Sequence, residues 1–85
     1  ARRLARDVAS ESCRINVVAP GFIDTGFHER WKGMGVAARQ RRAELVPMGR
    51  AGQVDDLVGV YGWLLSDASQ FTTGQVIRVS GGDEL

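Results

Sequence analysis

The stretch RINVVAPGFIDT, residues 14–25, decides how this sequence is interpreted. Its first half, Arg14–Ala19, is β-rich and almost wholly apolar, as is typical of a strand covered on both faces in a parallel sheet. Pro20 is expected to stop that strand, because proline has no N–H to donate to the ladder. The bend after it then lies at the carboxyl end of a parallel strand, where open α/β sheets bind their ligands.

The residues of this bend are suited to hold a ligand. Gly21 has no Cβ, so the backbone can turn sharply and a planar ring can approach it. The backbone N–H and C=O groups of Phe22 and Ile23 can pair with an amide on the ligand, and Thr25 adds a hydroxyl. Pro-Gly alone is more typical of a simple strand-ending turn, so the functional interpretation depends on the rest of the chain.

The sequence on either side predicts an alternating α/β order. Apolar positions recur at helical spacing before and after the strand, and Asp55 and Asp56 stand where a helix dipole favours negative charge. The expected elements are a helix from about Leu4 that ends near Ser10–Ser12, the strand, irregular chain or short helix over 21–35, a basic helix Val36–Val46, a long helix Val54–Asp67, and a short strand Gln75–Val79.

These elements are too few for a free-standing sheet. Two short strands with three helices do not make an independently stable parallel sheet. Strands joined by a helical crossover are normally parallel and buried, which requires further strands beside them. With 85 residues the chain holds at most one small domain. We therefore interpret it as the last third of a larger α/β domain.

Composition excludes several classes of function. The net charge of +1 gives no electrostatic hold on nucleic acid or on a membrane. Cys13 is the only cysteine, so neither an internal disulfide nor a cysteine metal cluster is expected, and the natural setting is reducing and cytoplasmic. The longest apolar run, around Val58–Leu65, is far shorter than the roughly 20 residues that cross a bilayer.

Three motifs, in order, resemble the carboxyl-terminal part of the short-chain dehydrogenase/reductase family. Residues 14–25 resemble the segment after the family's catalytic helix. VPMGRAGQVDDLV (46–58) is similar to its Pro-x-x-Arg-x-Gly-x-Pro-Glu-Glu-Val-Ala segment, and SDASQFTTGQVIRVSGG (66–82) to its closing segment. The resemblance implies that residues 1–85 are the carboxyl-terminal part of one NAD(P)-binding, Rossmann-like, doubly wound parallel domain. Its parts here would be a helix, a strand, substrate-flap helices, a long helix and the final strand.

The resemblance also implies a cofactor site, for NAD or NADP. Pro20 and Gly21 match the bend beneath the nicotinamide ring, and Phe22 follows it in the same loop. Ile23 matches the position whose backbone holds the carboxamide, and Thr25 the hydroxyl near the carboxamide and pyrophosphate. Holding the amide fixes which face of the ring is presented, which is the protein's share in cofactor chemistry.

The family's catalytic residues have no match in the chain. Its glycine-rich phosphate loop and its Ser and Tyr-x-x-x-Lys set would all lie upstream of Ala1. Tyr61 is the only tyrosine, and the fourth residue after it is Leu65 rather than lysine. The 85 residues alone are therefore not expected to catalyse the reaction. Val54 for the family's proline and Ser80 for its aspartate are minor departures.

The resemblance implies a full-length carbonyl reductase or alcohol dehydrogenase. A 3-oxoacyl thioester is the first candidate substrate, and sugar, polyol and steroid alcohols stay open. The expected partner is a second copy of the chain, as a dimer or tetramer through the Val54–Asp67 helix and the final strand. One alternative is a non-catalytic, truncated member that acts only in binding or oligomerisation. A small basic nucleic-acid module is the other, and the charge balance disfavours it.

Some residues admit a functional and a plain interpretation. His28 has no triad or metal partner nearby in the sequence and is expected on the surface or in the flap. The basic face formed by Arg39, Arg41 and Arg42 is more typical of a solvated helix than of a site for an acidic carrier. Arg50 and Asp56, with Gly49 and Gly52 around them, are expected to organise the start of the next helix. GMGVAA, residues 33–38, fits a dinucleotide fingerprint only formally, since no strand precedes it.

Overall fold

The computed structural model describes residues 1–25 and 35–83. The expectation for His28 concerns residues 26–34 and lies outside this part. The helices and strands of the described residues are α1 (Arg2–Val8), β1 (Val17–Pro20), α2 (Val36–Glu44), α3 (Asp55–Leu64) and β2 (Val76–Val79), with single 3-10 turns at Ala9–Glu11 and Asp67–Ser69.

β1 and β2 pair in parallel, as the sequence predicts, with Val17 opposite Val76 and Pro20 opposite Val79. The prediction that Pro20 stops the strand is wrong, because Pro20 is its last paired residue. The N–H groups that donate to β2 belong to alternate residues, with Val17 and Gly21 at the two ends (2.8 and 3.0 Å). Pro20 lies between two of these donating residues, so the pairing of β1 with β2 loses no hydrogen bond through the missing N–H of proline.

The strand also begins later than the predicted Arg14, because side chains replace the ladder over residues 14–16. The Arg14 guanidinium donates to the carbonyl oxygens of Leu64, Ser69 and Thr72 at 2.9 to 3.3 Å. Asn16 donates its amide to the Thr72 carbonyl and accepts the N–H of Gln75. The segment is therefore fixed by side-chain hydrogen bonds, and regular pairing starts only at Val17.

Both predicted long helices are present, and both are shorter than expected. α2 ends at Glu44, and Val46, placed in the helix by the sequence, turns back to become one of the few buried residues (3% exposed). α3 ends at Leu64, while Asp67 belongs to the following 3-10 turn. Among the described residues, no helix combines the length and the apolarity needed to cross a membrane.

The described residues share only a small core. Ala5, Phe22, Val46 and Ser69 are buried, whereas the side chains of Leu65 and Phe71 are almost wholly exposed. The radius of gyration is 15.8 Å, against about 12 Å for a compact domain of this length. The described residues alone do not cover β1 on both faces, as a strand inside a complete parallel sheet would be covered, since Val17 is 40% exposed.

Candidate functional site

The loop formed by residues 20–25, called here the 20–25 loop, leaves the carboxyl end of β1 and is fixed by a second segment. The N–H of Gly52 donates to the Phe22 carbonyl, and the N–H of Asp24 donates to the Gly52 carbonyl, both at 2.8 Å. These two bonds form a parallel bridge between Ile23 and Gly52. The backbone of the loop is therefore held on both sides of Ile23.

The backbone groups of Ile23 itself differ from those of its neighbours in hydrogen bonding. Neither its N–H nor its C=O has a hydrogen-bond partner within residues 1–25 and 35–83. The Phe22 carbonyl differs from that of Ile23 because it already accepts the N–H of Gly52, and its predicted role toward a ligand stays a prediction. The loop thus offers one donor and one acceptor from a single residue, at the end of a parallel strand.

Gly21 is required for packing. A Cβ built on it would lie 2.8 Å from the Cβ and 2.9 Å from the Cα of Ser80, at the end of β2. Its φ is not in the left-handed region, so the conformation itself does not require glycine. The structure therefore gives Gly21 a role in strand-end packing, beside the predicted approach of a planar ring, which stays a prediction.

The remaining predicted residues lie in the same continuous segment. Pro20 and Thr25 are exposed at its two ends. The Phe22 side chain is buried, with the Arg42 guanidinium 5.2 Å from the centre of its ring. Its side chain is therefore packed within the chain. The predicted cofactor contacts of these residues stay predictions.

Two arginines of the basic face are engaged inside the chain. Arg39 pairs with Asp24 of the 20–25 loop (3.2 Å), and Arg42 pairs with Asp83 near the end of the chain. Arg41 is exposed, and among the described residues it takes part in no ion pair. α2 is thus attached by charge to the loop and to the tail, and little of its basic face remains for an acidic partner.

Arg50 and Asp56 organise the start of α3, as the sequence predicts. The guanidinium donates to both carboxylate oxygens (2.8 and 3.1 Å), and the N–H of Gln53 donates to the same carboxylate (2.7 Å). The hydrogen bond from Arg50, followed by that from Gln53, lowers the pKa of Asp56 to about 2. The same pair raises the pKa of Arg50.

Sequence reasoning missed the roles of Gly52 and Ser80. A Cβ on Gly52 would lie 2.5 Å from Cδ1 of Ile23, so this glycine lets the second segment approach the loop. The glycine after Arg50 in the second motif was a signal for such an approach, whereas nothing local marks Ser80. In the described part of the chain, no group of three acidic, histidine or cysteine side chains is placed to hold a metal.

The comparisons with known proteins agree with this geometry. The family model described as Enoyl-(Acyl carrier protein) reductase matches residues 1–83. The 3-oxoacyl-[acyl-carrier-protein] reductase FabG of Pseudomonas aeruginosa is 40% identical over 81 residues, which are 95% of this chain and 32% of that protein. The NADP-dependent mannitol dehydrogenase of Hypocrea jecorina is 39% identical, over 93% of this chain and 30% of its own.

A solved structure shows the fold. The 3-oxoacyl-[acyl-carrier protein] reductase of Brucella melitensis is 36% identical, with a TM-score of 0.81 over 95% of this chain and 29% of its own. The chain spans about a third of the length of the curated relatives it matches. The predicted Rossmann-like α/β fold is confirmed as a partial one. The chain belongs to the short-chain dehydrogenase/reductase family.

Proposed function

We propose that this chain is the carboxyl-terminal third of an NAD(P)-dependent oxidoreductase, and that its 20–25 loop holds the nicotinamide end of the cofactor. The observation that carries the proposal is the backbone of Ile23. Its N–H and C=O have no partner in the described residues, although the groups on either side are bonded to Gly52. Polar backbone groups are normally paired, so an open pair on a fixed loop is suited to a ligand.

The chemistry of a carboxamide matches this pair. A primary amide has one carbonyl acceptor and two N–H donors, so the N–H of Ile23 can donate to it and its C=O can accept from it. The Thr25 hydroxyl is a further polar group at the end of the loop. When bound, the nicotinamide supplies the hydride chemistry, and these residues determine its orientation.

The relatives support an acyl thioester as the first candidate substrate. Two of the proteins compared above are named 3-oxoacyl-[acyl-carrier-protein] reductases, and the fungal one is named a mannitol dehydrogenase. We therefore propose reduction of a 3-oxoacyl thioester, with a polyol or another alcohol as the second class. The tyrosine and lysine that this chemistry needs would come from a segment preceding Ala1, and the setting would be the cytoplasm.

Self-association is part of the proposal. α3 and β2 carry exposed apolar side chains, among them Val58 (60% exposed), Tyr61 (47%) and Val76 (59%). Burial of such side chains stabilises an interface by about 25 cal/mol for each Å² removed from water. A second copy of the protein would cover part of this surface in a dimer or tetramer.

The alternative is a non-catalytic member that acts only in binding or oligomerisation. It would account for the lack of any match to the family's Ser and Tyr-x-x-x-Lys set within residues 1–85. The residues that precede Ala1 distinguish the two. A Tyr-x-x-x-Lys about six residues before Ala1 supports the enzyme, and its absence supports the binding module.

The direct test uses the longer protein that contains this chain, called here the parent. We expect Thr25→Val, which keeps the shape and removes the hydroxyl, to raise the dissociation constant for NADH or NADPH by about fivefold, the loss expected for one hydrogen bond. Thr25→Ser is the matched control and should bind normally. Calorimetric titration measures both. Unchanged affinity in Thr25→Val would remove Thr25 from the site, and no binding by the unmodified parent would contradict the proposed function.

A further inference from the structure

The last described residues form a compact turn that contacts both the 20–25 loop and α2. Within this turn, the N–H of Asp83 donates to the Ser80 carbonyl (3.1 Å), and the Ser80 hydroxyl donates to the Asp83 carbonyl (3.0 Å). Gly81 and Gly82 have positive φ values of 63° and 92°, which glycine adopts without strain. The turn, called here the terminal turn (residues 80–83), is therefore closed by its own hydrogen bonds.

The terminal turn is packed closely on two sides. On one side, Gly21 lies so near Ser80 that no Cβ would fit between them. On the other, a Cβ on Gly81 would lie 2.9 Å from Cγ1 of the buried Val46, and the N–H of Met48 donates to the Gly81 carbonyl (3.0 Å). The turn thus lies between the start of the 20–25 loop and the chain that follows α2.

Arg42 completes this connection through its side chain. Its guanidinium pairs with the Asp83 carboxylate and lies over the ring of Phe22, whose side chain is only 8% exposed. The Asp83 side chain is 16% exposed and that of Arg42 34% exposed, so the pair is partly shielded from water. A partly buried ion pair that also stacks on an aromatic ring is stronger than an isolated surface pair.

We propose that Arg42 is a positioning residue, which Asp83 holds on the face of Phe22 so that the loop presents Ile23 in the geometry that binds the cofactor. The inference rests on the proposed function and adds a control of the site by the end of the chain. Phe22 directly precedes Ile23, and the Phe22 carbonyl and the Ile23 N–H belong to one peptide group, so a displacement of Phe22 that disturbs its bond to Gly52 also moves the N–H of Ile23. Arg42 itself touches neither cofactor nor substrate in this proposal.

The test compares Asp83→Asn and Arg42→Gln in the parent with Arg41→Gln. Arg41 is the matched control, because it is the adjacent arginine of α2, is exposed and forms no ion pair in the described part of the chain. We expect the first two variants to raise the KM and the dissociation constant for the reduced cofactor by about three- to tenfold, with a smaller change in kcat. Arg41→Gln should bind like the unmodified protein.

A conservative variant separates positioning from simple support of the fold. Arg42→Lys keeps the charge toward Asp83 but lacks the planar group that stacks on Phe22. We expect Arg42→Lys to have a higher thermal stability than Arg42→Gln but the same weakened affinity for the cofactor. If Arg42→Lys binds the cofactor as the unmodified protein does, the stacking on Phe22 does not position the loop and the inference is overturned.

A second measurement does not depend on the cofactor. We expect hydrogen exchange in the cofactor-free parent to be faster over residues 20–25 and 36–46 in Asp83→Asn than in Arg41→Gln. Exchange equal to that of the control in both segments overturns the inference, whatever the cofactor does. Failure of the unmodified parent to bind NADH or NADPH contradicts the proposed function instead, and the exchange result still decides whether the terminal turn holds the loop.

Discussion

At the amino end of β1, the Arg14 side chain donates to four oxygen atoms of residues 64–72, whereas at the carboxyl end the backbone of Ile23 has no partner in the described residues. Both ends are held by chain from distant parts of the sequence. At the amino end this contact engages both terminal nitrogens of the Arg14 guanidinium, and at the carboxyl end it leaves the N–H and C=O of Ile23 without a partner in the described residues. Under the proposed function, open polar groups on a fixed backbone distinguish the binding end of the strand from its structural end.

The largest effect is expected from removing the contact at the amino end. Arg14→Met in the parent keeps the aliphatic stem but removes every donor to the carbonyls of Leu64, Ser69 and Thr72. We expect a loss of about 2–4 kcal/mol in the free energy of unfolding, since several partly buried acceptors lose a charged donor. Urea unfolding measures this loss. Arg14→Lys is the control, because lysine keeps a charged donor and should retain part of the hydrogen bonding. Equal unfolding midpoints would show that this end is not structural.

An intermediate effect is expected at Gly21, where packing and binding have to be separated. Gly21→Val places a branched side chain against Ser80, so we expect a loss of about 1–3 kcal/mol in stability together with loss of cofactor binding. The double variant Gly21→Ala/Ser80→Gly removes the contact with the Ser80 Cβ but keeps the 2.9 Å approach to the Cα of residue 80, so it should recover only part of the stability. Calorimetric titration of the folded double variant then measures its affinity for the cofactor separately from the loss of stability. Normal affinity would mean that the bend is only a packing site and that the ring does not lie against it.

The smallest effect is expected at the Arg50–Asp56 pair, which is exposed. The folded state lowers the pKa of Asp56 to about 2 from its ordinary value of 3.8, so its stabilising contribution is complete above about pH 4 and is lost as the pH falls toward 2. Asp56→Asn should therefore lower the melting temperature slightly at pH 7, and the difference from the unmodified parent should shrink between pH 4 and pH 2. A difference independent of pH would mean that the carboxylate charge does not act through this pair.

The local pattern was sufficient to predict the elements and their order, but not where β1 begins and ends. Apolar β-branched residues placed the strand, and the parallel pairing followed from the helical crossover. Its start was placed too early because Arg14 and Asn16 bond to residues more than 50 positions away, which no local pattern records. Its end was placed one residue too early, because proline is tolerated at position 20 only if the N–H at that position does not face β2, and the local sequence does not show which peptide groups face β2.

The sequence marked the candidate site as a segment, whereas the contacts of individual atoms within it could not be read from the sequence. The family motif marked residues 20–25, but the occupied carbonyl of Phe22 and the packing of Gly21 depend on Gly52 and Ser80. The basic face of α2 shows the same limitation. Composition indicates three cations, whereas the contacts with Asp24 and Asp83 that engage two of them exist only in the folded chain.

The pairing of β1 with β2 has a consequence for the time course of folding. Val17 and Val76 are 59 positions apart along the chain, so closing the loop between them costs roughly 4 kcal/mol of chain entropy before any contact forms. Proteins dominated by such distant contacts fold slowly. On the ribosome, β1 is made well before β2, so the edge of β1 that pairs with β2 stays unpaired with it until residues 76–79 emerge. The interval before that pairing is when this segment is most exposed to aggregation and to chaperones.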